Sequence, residues 1–132
     1  MNAANKLCPF VFIALTACST AQAADLKTWL GVWALGDNKI RLSLRHGKIL
    51  ADGTAYYPSE NFVPFPSVGE FRASGIPRKG RLIIRDGFRG EVTCTVIMVR
   101  KKDTLSVLNH DPGCGGHNVS FQGVYHRVGE PH

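Results

Sequence analysis

Three short segments near the end of the chain decide its fold: residues 94–99 (CTVIMV), 103–107 (DTLSV) and 110–125 (HDPGCGGHNVSFQGVY). The first is an apolar run rich in β-branched residues, the second alternates polar and apolar residues after Asp103, and the polar residues Lys101 and Lys102 lie between them. The third segment joins a glycine-rich loop to an alternating run. Runs of this length between turn signals are typical of β-strands. The sequence therefore predicts three consecutive strands here.

A disulfide is expected to hold these strands together. Cys94 and Cys114 are the only cysteines left once an N-terminal export segment, residues 1–23, is removed. Two cysteines allow one pairing, and disulfides form in the oxidising compartments that exported proteins reach. The bridge closes a span of 20 residues, and loop-closure entropy makes such a constraint worth about 3 kcal/mol.

The chain begins with a segment of the kind that directs export. Lys6 supplies a positive charge, residues 7–17 form an apolar run, and residues 21–23 (AQA) offer a cleavage site between small residues. This order is typical of a secretory signal peptide. The apolar run is too short to cross a bilayer as a helix, which needs about 20 residues. We predict a signal peptide over residues 1–23, a single β domain over residues 24–132, no membrane span, and a periplasmic or secreted location.

A rival processing site ends at Cys18. Residues 15–18 (LTAC) resemble a bacterial lipobox. Processing at this site would make Cys18 a lipidated N-terminus and give the domain a membrane anchor, whereas cleavage after Ala23 would release it. The sequence leaves both alternatives open.

The rest of the chain repeats the β pattern. Ile40, Leu42 and Leu44 alternate with polar residues, which is the pattern of a half-buried strand. Gly53, inside another such run, predicts a bulge or a close approach. We count about eight strands with no sustained helical period, and short turns between strands imply antiparallel pairing. The expected fold class is all-β, a small antiparallel meander barrel of about eight strands with one disulfide, or else a flattened sandwich.

Two motifs carry a resemblance to known proteins. The start, Trp29-x-Gly31-x-Trp33, resembles the opening of lipocalin- and avidin-like barrels. With the ending, residues 114–125 (CGGHNVSFQGVY), it resembles small exported bacterial envelope proteins that are loosely associated with lysozyme-inhibitor-like proteins. The resemblance implies an envelope location and inhibition of a hydrolase, and it supplies no catalytic residues.

Residues 58–66 form the longest expected loop, because three of the nine are proline, which a central strand excludes. Apolar side chains on such a loop are candidates for binding. The alternative is that they fold back over an open end of the core. With the aromatic residues just before the loop, the candidate binding residues are Tyr56, Tyr57, Phe62 and Phe65.

No catalytic set is recognisable in the sequence. The serines after residue 23 lack a G-x-S-x-G setting, and no phosphate-binding glycine motif is followed by a helix. His110, Cys114 and His117 are spaced like metal ligands, but zinc needs three or four ligands and Cys114 is better explained by its bridge to Cys94. We expect no enzymatic activity, no cofactor and no metal.

The charge of the predicted domain favours anionic partners. Fifteen of the 16 lysines and arginines and all ten acids follow residue 23, which leaves a net charge of +5. Such a charge attracts anionic envelope surfaces, or it only keeps the protein soluble. The basic residues are expected to be spread over many turns and strand faces, export removes the chain from nucleic acid, and no RNA-binding motif is present, so we expect no nucleic-acid partner.

These observations predict a non-enzymatic exported binding domain. Its expected partner is an envelope protein, such as a cell-wall hydrolase that it inhibits, or an anionic envelope polymer. The alternative is a barrel that binds a small ligand inside, for which the strand count and the residues Trp29 and Trp33 are the grounds.

Overall fold

The computed structural model describes residues 25–57, 67–88, 91–109, 114 and 119–129. A single helical turn at residues 25–27 precedes the first strand. The eight strands are β1 (Gly31–Leu35), β2 (Asn38–Arg45), β3 (Lys48–Tyr57), β4 (Ser67–Gly75), β5 (Arg81–Phe88), β6 (Glu91–Lys101), β7 (Thr104–Asn109) and β8 (Gly123–Val128).

The strands form one antiparallel sheet in the order β4-β3-β2-β1-β8-β7-β6-β5. The first and last strands of the chain pair with each other, so the sheet curls until its edge strands β4 and β5 meet. There the backbone N–H of Arg72 donates a hydrogen bond of 2.8 Å to Asp86 Oδ2. The result is a nearly closed eight-stranded barrel. The predicted all-β barrel is therefore confirmed, and the flattened sandwich is not formed.

The barrel follows from the alternation of buried and exposed side chains along its strands. In β2, Ile40 and Leu42 are buried while Lys39 and Arg41 are exposed, because successive side chains point to opposite faces of a sheet. The same alternation in the other strands directs apolar side chains inward. The largest fully buried side chains are Trp29, Trp33, Tyr125, Phe71, Phe121, Ile40, Leu42, Ile49, Leu82, Ile84, Met98 and Leu105.

Gly53 makes room for an aromatic ring in this interior. It pairs with Phe71 across β3 and β4, and a Cβ at Gly53 would lie 2.2 Å from Phe71 Cε1. The Phe71 ring also packs edge-on against Phe121, with ring centroids 4.7 Å apart. The close approach predicted for Gly53 is therefore observed, and the ring fills the space that the glycine leaves.

The predicted disulfide is present. Cys94 on β6 is bonded to Cys114, with Cα atoms 4.5 Å apart, and both residues are buried. The bridge ties β6 to the segment between β7 and β8. Because that segment is long, the covalent link restricts how far β8 can move from the rest of the sheet.

The predicted export segment lies outside the described residues. This holds for the signal peptide, for the rival lipidation site Cys18, and for the boundary at residue 23. In the part of the chain that the structure describes, no helix has the length and apolar character needed to cross a membrane.

We expect the disulfide to supply about 2–5 kcal/mol of the free energy of unfolding. The variant with both Cys94→Ser and Cys114→Ser removes the bridge without leaving a free thiol in the domain. Denaturant unfolding should show this loss, and a reducing agent should destabilise the parent protein but not the variant. Equal stability of parent and variant would contradict a stabilising role for the bridge.

Gly53→Ala should lower the free energy of unfolding by about 1–3 kcal/mol, because the added methyl group overpacks the core against Phe71. Combining it with Phe71→Leu tests the cause, since the smaller side chain leaves room for the methyl group. The double variant should therefore lose less than the two single losses added together. Strict additivity in denaturant unfolding would show that the two positions are not in contact.

Candidate functional site

The outward side chains of β1–β3 line an open depression of about 650 Å³, which we call the outer groove. Its lining contains two acids, two bases, one tyrosine and two smaller side chains. These are Val32, Asp37, Lys39, Arg41, Asp52, Thr54 and Tyr56.

Strand register arranges the charges of the groove in a row. Arg41 on β2 lies opposite Asp52 on β3, which in turn lies opposite Arg72 on β4. Arg72 Nη1 is 3.5 Å from Asp52 Oδ2, and both side chains are well exposed. An ion pair this exposed contributes little to stability. The row therefore presents alternating charges to the solvent.

Tyr56 lies in the groove beyond this row of charges. Its side chain is 43% exposed, and its backbone N–H donates a hydrogen bond of 2.9 Å to Asn38 Oδ1. Asn38 in turn donates from Nδ2 to the carbonyl oxygen of Ser120 at 3.2 Å. One amide side chain thus links β2, β3 and the segment before β8, and it fixes the backbone that carries Tyr56.

Among the predicted binding residues, the structure tests the environment of Tyr56 alone. Phe62 and Phe65 lie outside the described residues, and so does the side chain of Tyr57. The charged residues that line the groove with Tyr56, Arg41 and Asp52 among them, were not identified from the sequence. Their juxtaposition depends on strand register, which a hydrophobic pattern alone does not specify to the residue.

Tyr125 lies beneath this region, in the core. Its hydroxyl group donates a hydrogen bond of 2.8 Å to the carbonyl oxygen of Phe121. Burial raises the pKa of Tyr125 from 10.0 to about 12, and a hydrogen bond with the Asn38 side chain acts in the opposite direction. The hydroxyl group is therefore neutral at physiological pH and has a structural role.

The two tryptophans, Trp29 and Trp33, close the end of the barrel at which β1 begins, away from Tyr56. Trp33 Nε1 donates a hydrogen bond of 3.0 Å to the carbonyl oxygen of Trp29. The guanidinium group of Arg127 lies 4.5 Å from the centre of the Trp33 ring, and that of Arg100 lies 5.6 Å from Trp29. Arg127 Nη2 also donates to the carbonyl oxygen of Thr28 at 2.6 Å. These contacts occupy both tryptophans within the protein itself.

A metal centre finds no support in the described residues. No three histidine, cysteine, aspartate or glutamate side chains among them come together as a metal site would need. His110 and His117, whose spacing raised the question, lie outside the described residues, and Cys114 is in its disulfide.

The raised pKa of Tyr125 predicts a loss of stability in alkali. The unfolded chain releases this proton near pH 10, whereas the folded protein keeps it until about pH 12. The stabilisation is complete below pH 10 and is lost as the pH rises through 12, by up to about 3 kcal/mol for a shift of two pKa units. Denaturant unfolding at increasing pH should show this fall relative to Tyr125→Phe. Parallel curves would contradict it.

Comparison with known proteins leaves the geometry as the basis for assigning a function. Set against protein-family models, curated proteins and solved structures, the chain shows no match. Its outer groove and its charge distribution therefore carry the functional argument.

Proposed function

We propose that this chain is a non-enzymatic exported binding domain that engages an envelope protein through the outer groove. The observation that carries the proposal is the half-exposed Tyr56, held by Asn38 beside a row of alternating charges. Export is supported by the signal-like N-terminal segment and by the disulfide, a bond typical of oxidising compartments.

The chemistry of the groove suits a protein surface. Tyrosine and arginine are enriched among the residues that dominate binding energy at interfaces, where a rigid aromatic ring buries much area at little entropic cost. Charges of both signs, here on Arg41 and Asp52, discriminate between partners by electrostatic complementarity. The groove is open and spans several strands, as a contact with another folded protein requires.

The packed interior favours this proposal over a barrel that binds a small ligand inside. In the described part of the chain, Trp33, Phe71, Phe121 and Tyr125 are all fully buried within the barrel. Phe71 is packed so closely that a methyl group on Gly53 would overlap it. A ligand inside would have to displace these rings, and each large-to-small change in a core costs several kcal/mol.

A cell-wall hydrolase is the partner class that the resemblance favours, and inhibition is then the consequence of covering its active site. The net charge of +5 on residues 24–132 bears on which hydrolase this is. Like charges slow encounter and lower affinity, and ordinary lysozymes are usually basic. The domain therefore suits a hydrolase with an acidic surface.

The test is capture of envelope proteins by the purified domain, read by mass spectrometry at moderate salt. Tyr56→Ala should remove the captured protein or weaken its binding at least tenfold, the loss of about 1.4 kcal/mol or more expected for an interface anchor. Its thermal stability should change little, because the side chain is 43% exposed.

Val124→Ala is the matched control, since Val124 is 47% exposed on β8 and does not line the groove. It should bind as the parent does. Equal binding by Tyr56→Ala and the parent would refute the groove as the binding face. Inhibition is tested separately, by adding the parent and both variants to digestion of cell wall by the captured protein.

A further inference from the structure

The meander places every second hairpin at the same end of the barrel. The turns at residues 46–47, 76–80 and 102–103 connect β2 to β3, β4 to β5 and β6 to β7, so all three lie at one end. The helical turn at residues 25–27 precedes β1 at this end, and β8 finishes there. We call this the cationic end, for the charges that it carries.

Ten lysines and arginines lie at the cationic end against two acids among the described residues. The bases are Lys27, Arg45, Lys48, Arg78, Lys79, Arg81, Arg100, Lys101, Lys102 and Arg127, and the acids are Asp25 and Asp103. The rest of the described chain has four bases and five acids: Lys39, Arg41, Arg72 and Arg85, with Asp37, Asp52, Glu70, Asp86 and Glu91. The positive charge of the described residues is thus concentrated at one end.

These charges repel one another within the fold. Arg78 and Arg81 form a backbone pair, with N–O distances of 2.8 and 3.0 Å, and like charges directly opposite each other are destabilising. The ion pair found among the described residues, between Arg72 and Asp52, lies away from the cationic end. A bound anionic surface would attract these bases and so offset their mutual repulsion.

Apolar side chains lie among the charges. Leu44 is 47% exposed, Ile76 is 51% exposed and Val128 is 46% exposed, and all three are at the cationic end. Basic residues interspersed with exposed aliphatic side chains are the composition of surfaces that bind lipid interfaces. The bases meet the headgroups, and the aliphatic side chains enter the boundary with the acyl chains.

We infer that the cationic end docks on an anionic lipid surface. Lys48, Arg78 and Arg81 at the cationic end, together with Arg85 further along β5, line a depression of about 430 Å³. It has no acid among its described lining residues, and it suits a phosphate headgroup. Arginine recognises phosphate with two parallel hydrogen bonds. Because Leu44, Ile76 and Val128 add apolar contact, the surface fits a membrane better than a soluble anionic polymer, which offers no apolar layer.

The described chain also begins at this end. Asp25 belongs to the turn that precedes β1, so the described chain enters the barrel from the cationic end. A single acyl chain gives only marginal membrane binding, and a basic patch is one of the second signals that make attachment stable. Lipidation at Cys18 would therefore act together with the cationic end.

The experiment is co-sedimentation of the purified protein with vesicles. A Cys18→Ser background is used so that lipidation cannot supply the binding. We expect binding to vesicles of phosphatidylcholine mixed with phosphatidylglycerol, and much weaker binding to phosphatidylcholine alone. The binding should decrease as salt rises, because salt screens exposed charges.

Two matched pairs of variants locate the surface. Arg78→Gln with Lys101→Gln removes two charges from the cationic end, and Lys39→Gln with Arg41→Gln removes two from the outer groove; all four side chains are exposed. The first pair should lower vesicle binding at least tenfold, since each base near an anionic surface contributes about fivefold. The second pair should lower it less than threefold. Val128→Ser should weaken binding while Val124→Ser, on the same strand and equally exposed, should not.

Three results would overturn the proposal. Equal losses from the two charge pairs would show an effect of net charge alone. Equal binding to both kinds of vesicle would exclude recognition of anionic headgroups. Binding to inorganic polyphosphate without binding to vesicles would assign the cationic end to a soluble polyanion instead.

Discussion

The pairing of β1 with β8 is the constraint on which the rest of the structure depends. It joins the first strand to the last, which are far apart in the sequence and adjacent in the sheet, with Trp33 directly opposite Arg127. Arg127 stacks on the Trp33 ring and donates a hydrogen bond to the carbonyl oxygen of Thr28. One side chain therefore links the end of β8 to the residues that precede β1. Without this pairing, β1 and β8 would expose unpaired edges, and the hydrophobic face would have no enclosed interior to fill.

Closure in this order also divides the surface into regions of different character. Because consecutive strands run in opposite directions, hairpins alternate between the two ends of the barrel, and residues far apart in sequence meet at one end. Arg45, Arg78 and Lys101 come together in this way. The outward faces of β2–β4 instead bring Asp52 between Arg41 and Arg72, so that charges of opposite sign alternate. One fold thus produces a polar groove on its wall and a strongly basic end.

Much of the fold was predictable because it depends on local patterns. Alternation identified the strands, two cysteines allowed a single bridge, and Gly53 marked a close approach that Phe71 fills. The distribution of charge differs from the expectation, since basic residues that are spread along the sequence are gathered at one end. Because successive turns alternate between the two ends of the barrel, the order of the turns along the chain predicts this clustering of bases. The neighbours of Tyr56 could not be predicted, because they depend on register and on the hydrogen bonds of Asn38.

The two proposed surfaces are compatible because they lie on different parts of the barrel. Asp37 and Tyr56, in the outer groove, are near the end opposite the cationic one, since they lie at the β1–β2 turn and towards the end of β3. A barrel that stands on a membrane by its cationic end would therefore hold the groove away from the lipid. A partner protein bound in the groove would then not compete with the membrane, and attachment at the lipid surface would raise the local concentration at which the two proteins meet.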